Sequence, residues 1–436
     1  MLPCGNADDC VVLLDEEQYQ TWKYDLRGTI VQAMQSSPST REYDAVFEGY
    51  KLASSKNSRT HVFKRKAVHN RPTKKSSFNE MLCVSTVDAT LDDVAYTMYN
   101  ADTASHRSNL AMVYENRFLD GAILNTTLTK CDQDPFQWFG VKYMKIHFDA
   151  SELFGPRDAT YVEYSGTTAD REGHKVIFIA RRTVPLNVPA AVPSVTRFEF
   201  KEWFLFTQLR DGRVEAVHWY HAFPGGNFPA FLFNNVAVKY GRFVDQLPHM
   251  CRQKWLVDHT VRLSARDAPQ RQRCGACNAP IKRSSRKRQQ CHSCAEAVCN
   301  KCVVRAIRAL DAEAAQSMIK LVYCKKCYVI ASCRSQQLQD GAVRLLDDET
   351  LKTLSPAAPC PEVKACRESV ASRTSLHSDS THSPSSYSGS PGPTTQEQGR
   401  GSEDLTAASF VRLSESLRAQ KLLMNELNRQ LATAHI

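Results

Sequence analysis

Cys274-Gly275-Ala276-Cys277, Cys291-His292-Ser293-Cys294, Cys299-Asn300-Lys301-Cys302 and Cys324-Lys325-Lys326-Cys327 are four Cys-x2-Cys pairs within one stretch of 54 residues. They hold half of the chain's sixteen cysteines, with gaps of thirteen, four and twenty-one residues between the pairs. A two-residue gap lets a tight turn bring two thiolates to one metal, and two such pairs complete a tetrahedral S4 shell. Buried free thiols, a redox Cys-x-x-Cys or a disulfide staple would each explain a single pair. Four pairs in tandem point instead to two zinc ions.

The order of gaps resembles the FYVE zinc finger over residues 264–330. A RING finger would want a histidine ligand and a gap of two, not four, before the third pair. The resemblance implies a cross-brace, with Cys274, Cys277, Cys299 and Cys302 on one zinc and Cys291, Cys294, Cys324 and Cys327 on the other. His292 lies between ligands and is expected at the surface or behind them. FYVE domains bind the head group of phosphatidylinositol 3-phosphate through three motifs, each altered here. The basic motif reads Lys287-Arg288-Gln289-Gln290-Cys291-His292, with glutamines for the paired histidines and His292 for the arginine. The Trp-x-x-Asp motif keeps only Asp267, and the Arg-Val-Cys motif reads Val322-Tyr323-Cys324. Lys287, Arg288 and His292 are the head-group candidates that the resemblance leaves.

Charge supports a phosphate-bearing partner. Ten basic residues against one acid, Glu296, fall between Arg271 and Arg308. Each cation beside an anionic membrane is worth about 1 kcal/mol. A solvated basic loop is the plainer reading of such a run. Nucleic acid is disfavoured, because no aromatic residue interleaves the 282–288 run to stack on bases. The tip offers only Pro280 and Ile281 for insertion, so contact with a bilayer should be shallow.

The rest of the chain fits two ordered domains and linkers in 436 residues, with 42% hydrophobic residues and a net charge of +10. Residues 1–17 lack the basic start and long apolar run of a signal peptide. No stretch approaches the roughly 20 apolar residues that span a bilayer. The expectation is a soluble cytoplasmic protein, in a compartment where thiols stay reduced and free for metal. The other eight cysteines are scattered, as ordinary core or surface thiols are.

Residues 15–255 read as one α+β domain. Tyr19, Trp22, Leu26 and Ile30 recur at helical spacing over 16–34. Strand-like runs follow at 43–51, 61–66 and 79–87, then a short helix over 91–99 capped by Thr90. Further strands are predicted at 111–118, 138–148, 160–164, 175–182, 198–209 and 214–223, separated by turns such as Asp211-Gly212. A last helix over 231–247 carries Phe233, Val236, Tyr240, Phe243 and Leu247 on one face, with Pro248 marking its end. Length, element order and Pro156-Arg157-Asp158-Ala159-Thr160-Tyr161-Val162 together resemble the START family. That resemblance implies a helix-grip fold, a curved antiparallel sheet closed by a C-terminal helix over a cavity for one lipid or sterol. Phe198, Phe200, Phe204 and Trp219 are either cavity lining or plain packing. The core should be independent of the metal, so residues 1–260 are expected to fold alone.

No residue is assigned a catalytic role. There is no Gly-rich phosphate loop, Gly-x-Ser-x-Gly elbow or His-Glu-x-x-His, and His218 and His221 fall on opposite faces of a strand. Residues 367–404 are Ser/Pro-rich and too poor in apolar residues to offset ordering entropy. Within 405–433, Phe410, Leu413, Leu417, Gln420, Met424, Leu427 and Leu431 form a heptad seam suited to a protein partner, to self-association or to docking on the chain's own domain. The sequence thus describes a non-enzymatic zinc-binding adaptor for lipids or phosphoinositide-containing membranes, peripheral on endosomes. The alternatives are a RING-like ubiquitin-ligase module and a nucleic-acid binding zinc protein.

Overall fold

The computed structural model describes residues 10–36, 40–56, 59–66, 78–148, 154–186, 194–259, 272–281, 289–310 and 316–335. The linker 367–404, the heptad segment 405–433, and Lys287 and Arg288 lie outside these residues.

Helix α1 (Glu16–Ala33) starts where the Asp15 carboxylate accepts a hydrogen bond from the Gln18 amide, and it buries Tyr19, Leu26 and Ile30. The strand predicted at 43–51 is instead helix α2 (Arg41–Phe47) followed by β1 (Lys51–Lys56). Arg41 and Ala45 are its buried residues, four apart, and Arg41 pairs with Glu215 at 3.3 Å. Then come β2 (Thr60–Lys66), β3 (Asn79–Val87) and α3 (Leu91–Met98), the last opened by a capping box of Thr90 and Asp93. Helix α4 (Thr103–Tyr114), capped by Asp102 and Ser105, occupies the first half of the segment expected as a strand at 111–118. Its His106, Leu110, Ala111 and Tyr114 are buried at helical, not alternating, spacing. A 3-10 turn, Glu115–Arg117, then leads into β4 (Phe118–Leu128).

The remaining strands are β5 (Trp138–Ile146), β6 (Arg157–Ala169), β7 (Lys175–Thr183), the short β8 (Thr196–Arg197), β9 (Glu199–Gln208) and β10 (Val214–Phe223). They join one sheet in the order β1-β2-β3-β10-β9-β7-β6-β5-β4, every neighbour antiparallel, with β8 set parallel beside β6. Alternation fills both faces. Val176, Phe178, Ala180, Leu205 and Val217 meet α1 on the outer face, whereas Ile177, Ile179, Phe204, Phe206 and Ala216 turn inward. Each such Val, Leu, Ile or Phe side chain fully buried is worth roughly 1.5–3 kcal/mol.

The inner face is gripped by α5 (Ala230–Gly241), a 3-10 turn (Arg242–Gln246) and α6 (Leu247–His259). Phe233, Val236, Phe243 and Leu247 are buried as predicted, but Pro248 does not end the helix. It is the second residue of α6, where the missing N–H has no acceptor within the helix to lose. The result is the helix-grip architecture.

The cysteine-rich segment adds two ribbons, β11 (Gln289–Gln290) with β12 (Ala297–Val298) and β13 (Val303–Ala309) with β14 (Met318–Cys324), and then helix α7 (Lys325–Ser335). It is docked on the larger domain. Leu247 and Met250 of α6 lie in the helix-grip core, while Leu256, two turns on, lies in the cysteine core. The boundary set at 255 therefore falls inside a helix that serves both.

Candidate metal centres and lipid cavity

Two knuckles have the same backbone build. Asn278 and Ala295, each just after the second cysteine of a pair, sit at φ 58° and 56°. Their amides both donate to the carbonyl of the first cysteine at 2.8 Å, Asn278 to Cys274 and Ala295 to Cys291. This left-handed turn aims both sulfurs to one side. The amides of Cys299 and Cys324 then donate to the sulfurs of Cys274 and Cys291, at 3.4 and 3.2 Å.

The eight sulfurs gather in two sets, Cys274, Cys277, Cys299 and Cys302, and Cys291, Cys294, Cys324 and Cys327. Within each set all sulfurs lie within 4.8 Å of one another. The Cys277–Cys299 and Cys294–Cys324 separations are 3.7 and 3.9 Å. A tetrahedron with metal–sulfur bonds of about 2.3 Å has edges of about 3.8 Å, whereas a disulfide needs about 2.05 Å. The alternating pairing is the cross-brace that the FYVE resemblance implies.

The thiol electrostatics suit a cation site in each cluster. Burial raises the Cys274 thiol, but amide donors outweigh it and hold the group at about 6. Contact with Cys324 brings Cys291 down to about 4 against burial. The Cys277 thiol and burial push Cys302 up to about 12, and burial with the adjoining Cys291 does the same to Cys294. Four neighbouring thiolates repel one another and require a cation among them. The two clusters fit two metal ions.

His292 is exposed and belongs to neither cluster; its amide donates to the Val322 carbonyl at 2.7 Å. Tyr323 is fully buried, its hydroxyl donating to the Leu256 carbonyl at 3.3 Å. Lys301, Arg305, Lys320, Lys325 and Lys326 are exposed around them.

A second site lies between the sheet and α5. A cavity of about 40 Å³ is walled by Met144, Ile146, Phe148, Phe198, Phe200, Ala222, Phe233, Val236 and Ala237, with Tyr114, Arg117, Glu202, Tyr220 and Tyr240 as its polar side. Of the four aromatics singled out in the sequence, Phe198 and Phe200 line it. Phe204 packs farther along the same face, and Trp219 lies on the outer face, donating to the Tyr50 hydroxyl. At 10–15 Å³ per water, this conformation has room for about three.

One group of residues is not foreshadowed by the sequence reading. Lys142 on β5, Glu163 on β6, Arg181 on β7, Glu202 on β9 and His218 on β10 form an alternating ladder across the inner face. Lys142 Nζ donates to Glu163 Oε1 at 2.6 Å, and Arg181 donates to Glu163 at 2.5 Å and to Glu202 at 3.0 Å. His218 Nε2 and the Tyr240 hydroxyl meet Glu202 Oε2 at 3.2 and 3.1 Å. Burial would raise the Glu163 carboxyl, but Arg181 and Lys142 hold it at about 2. Burial lowers Lys142 to about 8 and keeps His218 below its ordinary range. Two cations and two anions cancel, and Glu202 carries the end of the ladder to the cavity wall.

No protein-family model and no curated protein sequence matches the chain. Solved structures are similar to it. Human StAR-related lipid transfer protein 5 is 14% identical with a TM-score of 0.40, covering 55% of this chain and 99% of its own. A STAR-related lipid transfer protein fragment from Xanthomonas axonopodis is 18% identical, TM-score 0.34, covering 46% and 98%. Human STARD10 is 10% identical, TM-score 0.36, covering 58% and 86%. The chain's own geometry defines the class, a helix-grip protein with a docked two-centre cysteine module.

Proposed function

We propose that this protein is a non-enzymatic, START-like lipid-binding adaptor whose two metals are zinc and whose cysteine module rests on anionic membranes. The observation that carries the reading is the cavity beneath α5, apolar on most sides and polar where Glu202 and Tyr240 meet. Such a lining suits one apolar molecule with a small hydrogen-bonding group. A whole lipid needs more than the present volume, so α5 must lift from the sheet to admit it. The ladder argues against acid–base chemistry, since its charged groups are committed to one another. Lipids extracted from the purified full chain and weighed by mass spectrometry test this. Ala222→Phe, which fills the cavity, should remove the co-purified lipid while two zinc ions remain. A chain that carries no lipid and takes up none from vesicles would sink the proposal.

For the module, the exposed cations and the Lys287-Arg288 pair support a charge-driven contact with anionic or phosphoinositide-bearing membranes of the cytoplasm, endosomes included. Binding to vesicles of any anionic lipid should weaken as salt shortens the Debye length to about 8 Å at physiological strength. Lys287→Ala with Arg288→Ala should abolish most of it. Salt-resistant selectivity for phosphatidylinositol 3-phosphate would point to a built pocket instead. Absence of binding at any salt would favour a protein partner for the module.

A further inference from the structure

The ribbon β13–β14 has two faces, and they belong to different cores. Ala306 and Leu321, paired across the ribbon, are buried in the cysteine core together with Tyr323. The neighbouring Ile307, with Ala309 and its partner Met318, packs into the helix-grip cluster that holds Leu110, Ala111, Tyr114 and Phe118. Strand alternation makes this division unavoidable once the ribbon lies between the two. Polar ties fix it there. The Ile307 amide donates to Gln253 Oε1 of α6 at 3.4 Å and Ser317 Oγ donates to the Phe118 carbonyl at 2.8 Å, while beside the ribbon His249 Nδ1 of α6 meets the Tyr328 hydroxyl of α7 at 2.6 Å.

The open end of the ribbon is anchored by two different clusters. Cys302, immediately before β13, belongs to the first, and Cys324, the last residue of β14, belongs to the second. Val303 and Cys324 are directly paired. We infer that the metals clamp this ribbon and that the ribbon in turn braces α4 and α6, so that metal loading sets the stability of the helix-grip domain. Tyr114, at the end of α4, both touches this cluster and lines the cavity, so the brace reaches the cavity wall. The inference rests on the metal reading of the clusters and is independent of any lipid. It replaces the expectation that residues 1–260 stand apart from the metal.

The test is amide hydrogen exchange, read by mass spectrometry on the full chain, loaded with zinc and then stripped by a chelator, with metal content measured on the same samples. Stripping should speed exchange at least tenfold in 103–114 and 247–259, and a loss of protection throughout the domain counts the same way. A second arm keeps the metal. Ile307→Asp, with two zinc ions retained, should deprotect the same two helices, and Met318→Asp serves if the first variant loses metal. Unchanged exchange in both helices after verified metal loss would overturn the inference. A chain that never binds metal would overturn it too, by a readout that leaves the lipid reading untouched.

Discussion

Glu163 accepts from Lys142 and Arg181 at once, and His106 lies buried nearby with its Nε2 at 3.0 Å from the Tyr143 carbonyl. Burial, then the Lys142 charge, lowers His106 from 6.5 to about 3. Both groups are depressed in the folded state, so their stabilisation is present above the unfolded values and is lost as pH falls. For Glu163 the window runs from 4.5 down to about 2, and the shift amounts to about 3 kcal/mol. For His106 the loss begins already below 6.5. The His106 ring should therefore stay neutral between pH 7 and 4.5 by NMR, while the denaturation midpoint falls across the same range. A His106 midpoint above 5.5 would contradict the burial argument. The metal ligands were legible because Cys-x2-Cys is a local signal that needs no partner strand. The ladder was not. Lys142, Glu163, Arg181 and Glu202 lie far apart in sequence and become a network only once β5, β6, β7 and β9 are aligned.

Pro248 shows how the same residue can read as a stop or a start. In the sequence it follows an amphipathic run and looks like a terminator. In the fold, the turn at Arg242–Gln246 intervenes and the proline opens α6. Pro248→Ala should consequently change stability by less than about 1 kcal/mol, against about 3 for relieving a proline in a helix interior. Urea unfolding distinguishes the two. Strand limits at β3 and β10 were readable to the residue because short apolar, β-branched and aromatic runs there are bounded by polar segments such as Asp211-Gly212. Helix α4 was missed because its buried set includes His106, Arg107 and Asn109, which give no apolar stripe. Arg107 is paired with Asp120 at 2.6 Å, a tertiary contact invisible to periodicity.

At the scale of the whole molecule, the sequence suggests separate modules because the helix-grip core reads as complete without the metal, but α6 packs in both cores. The two cores are distinct, and α6 and the β13–β14 ribbon pack against both. The inner-face ladder has a consequence of its own, for assembly. Its charges alternate in sign from β5 to β9, and each strand carries one. A one-residue slip of β7 that brings Ala180 to the place of Arg181 would swing Arg181 to the outer face and leave Glu163 and Glu202 facing each other across an apolar gap, whereas the opposite slip would bring Arg182 there. Stranding a buried charge costs about 3–5 kcal/mol, a sizeable share of the 5–15 kcal/mol that holds a domain folded. The ladder therefore disfavours that slip of β7 once the helix closes over the sheet and buries the two carboxylates.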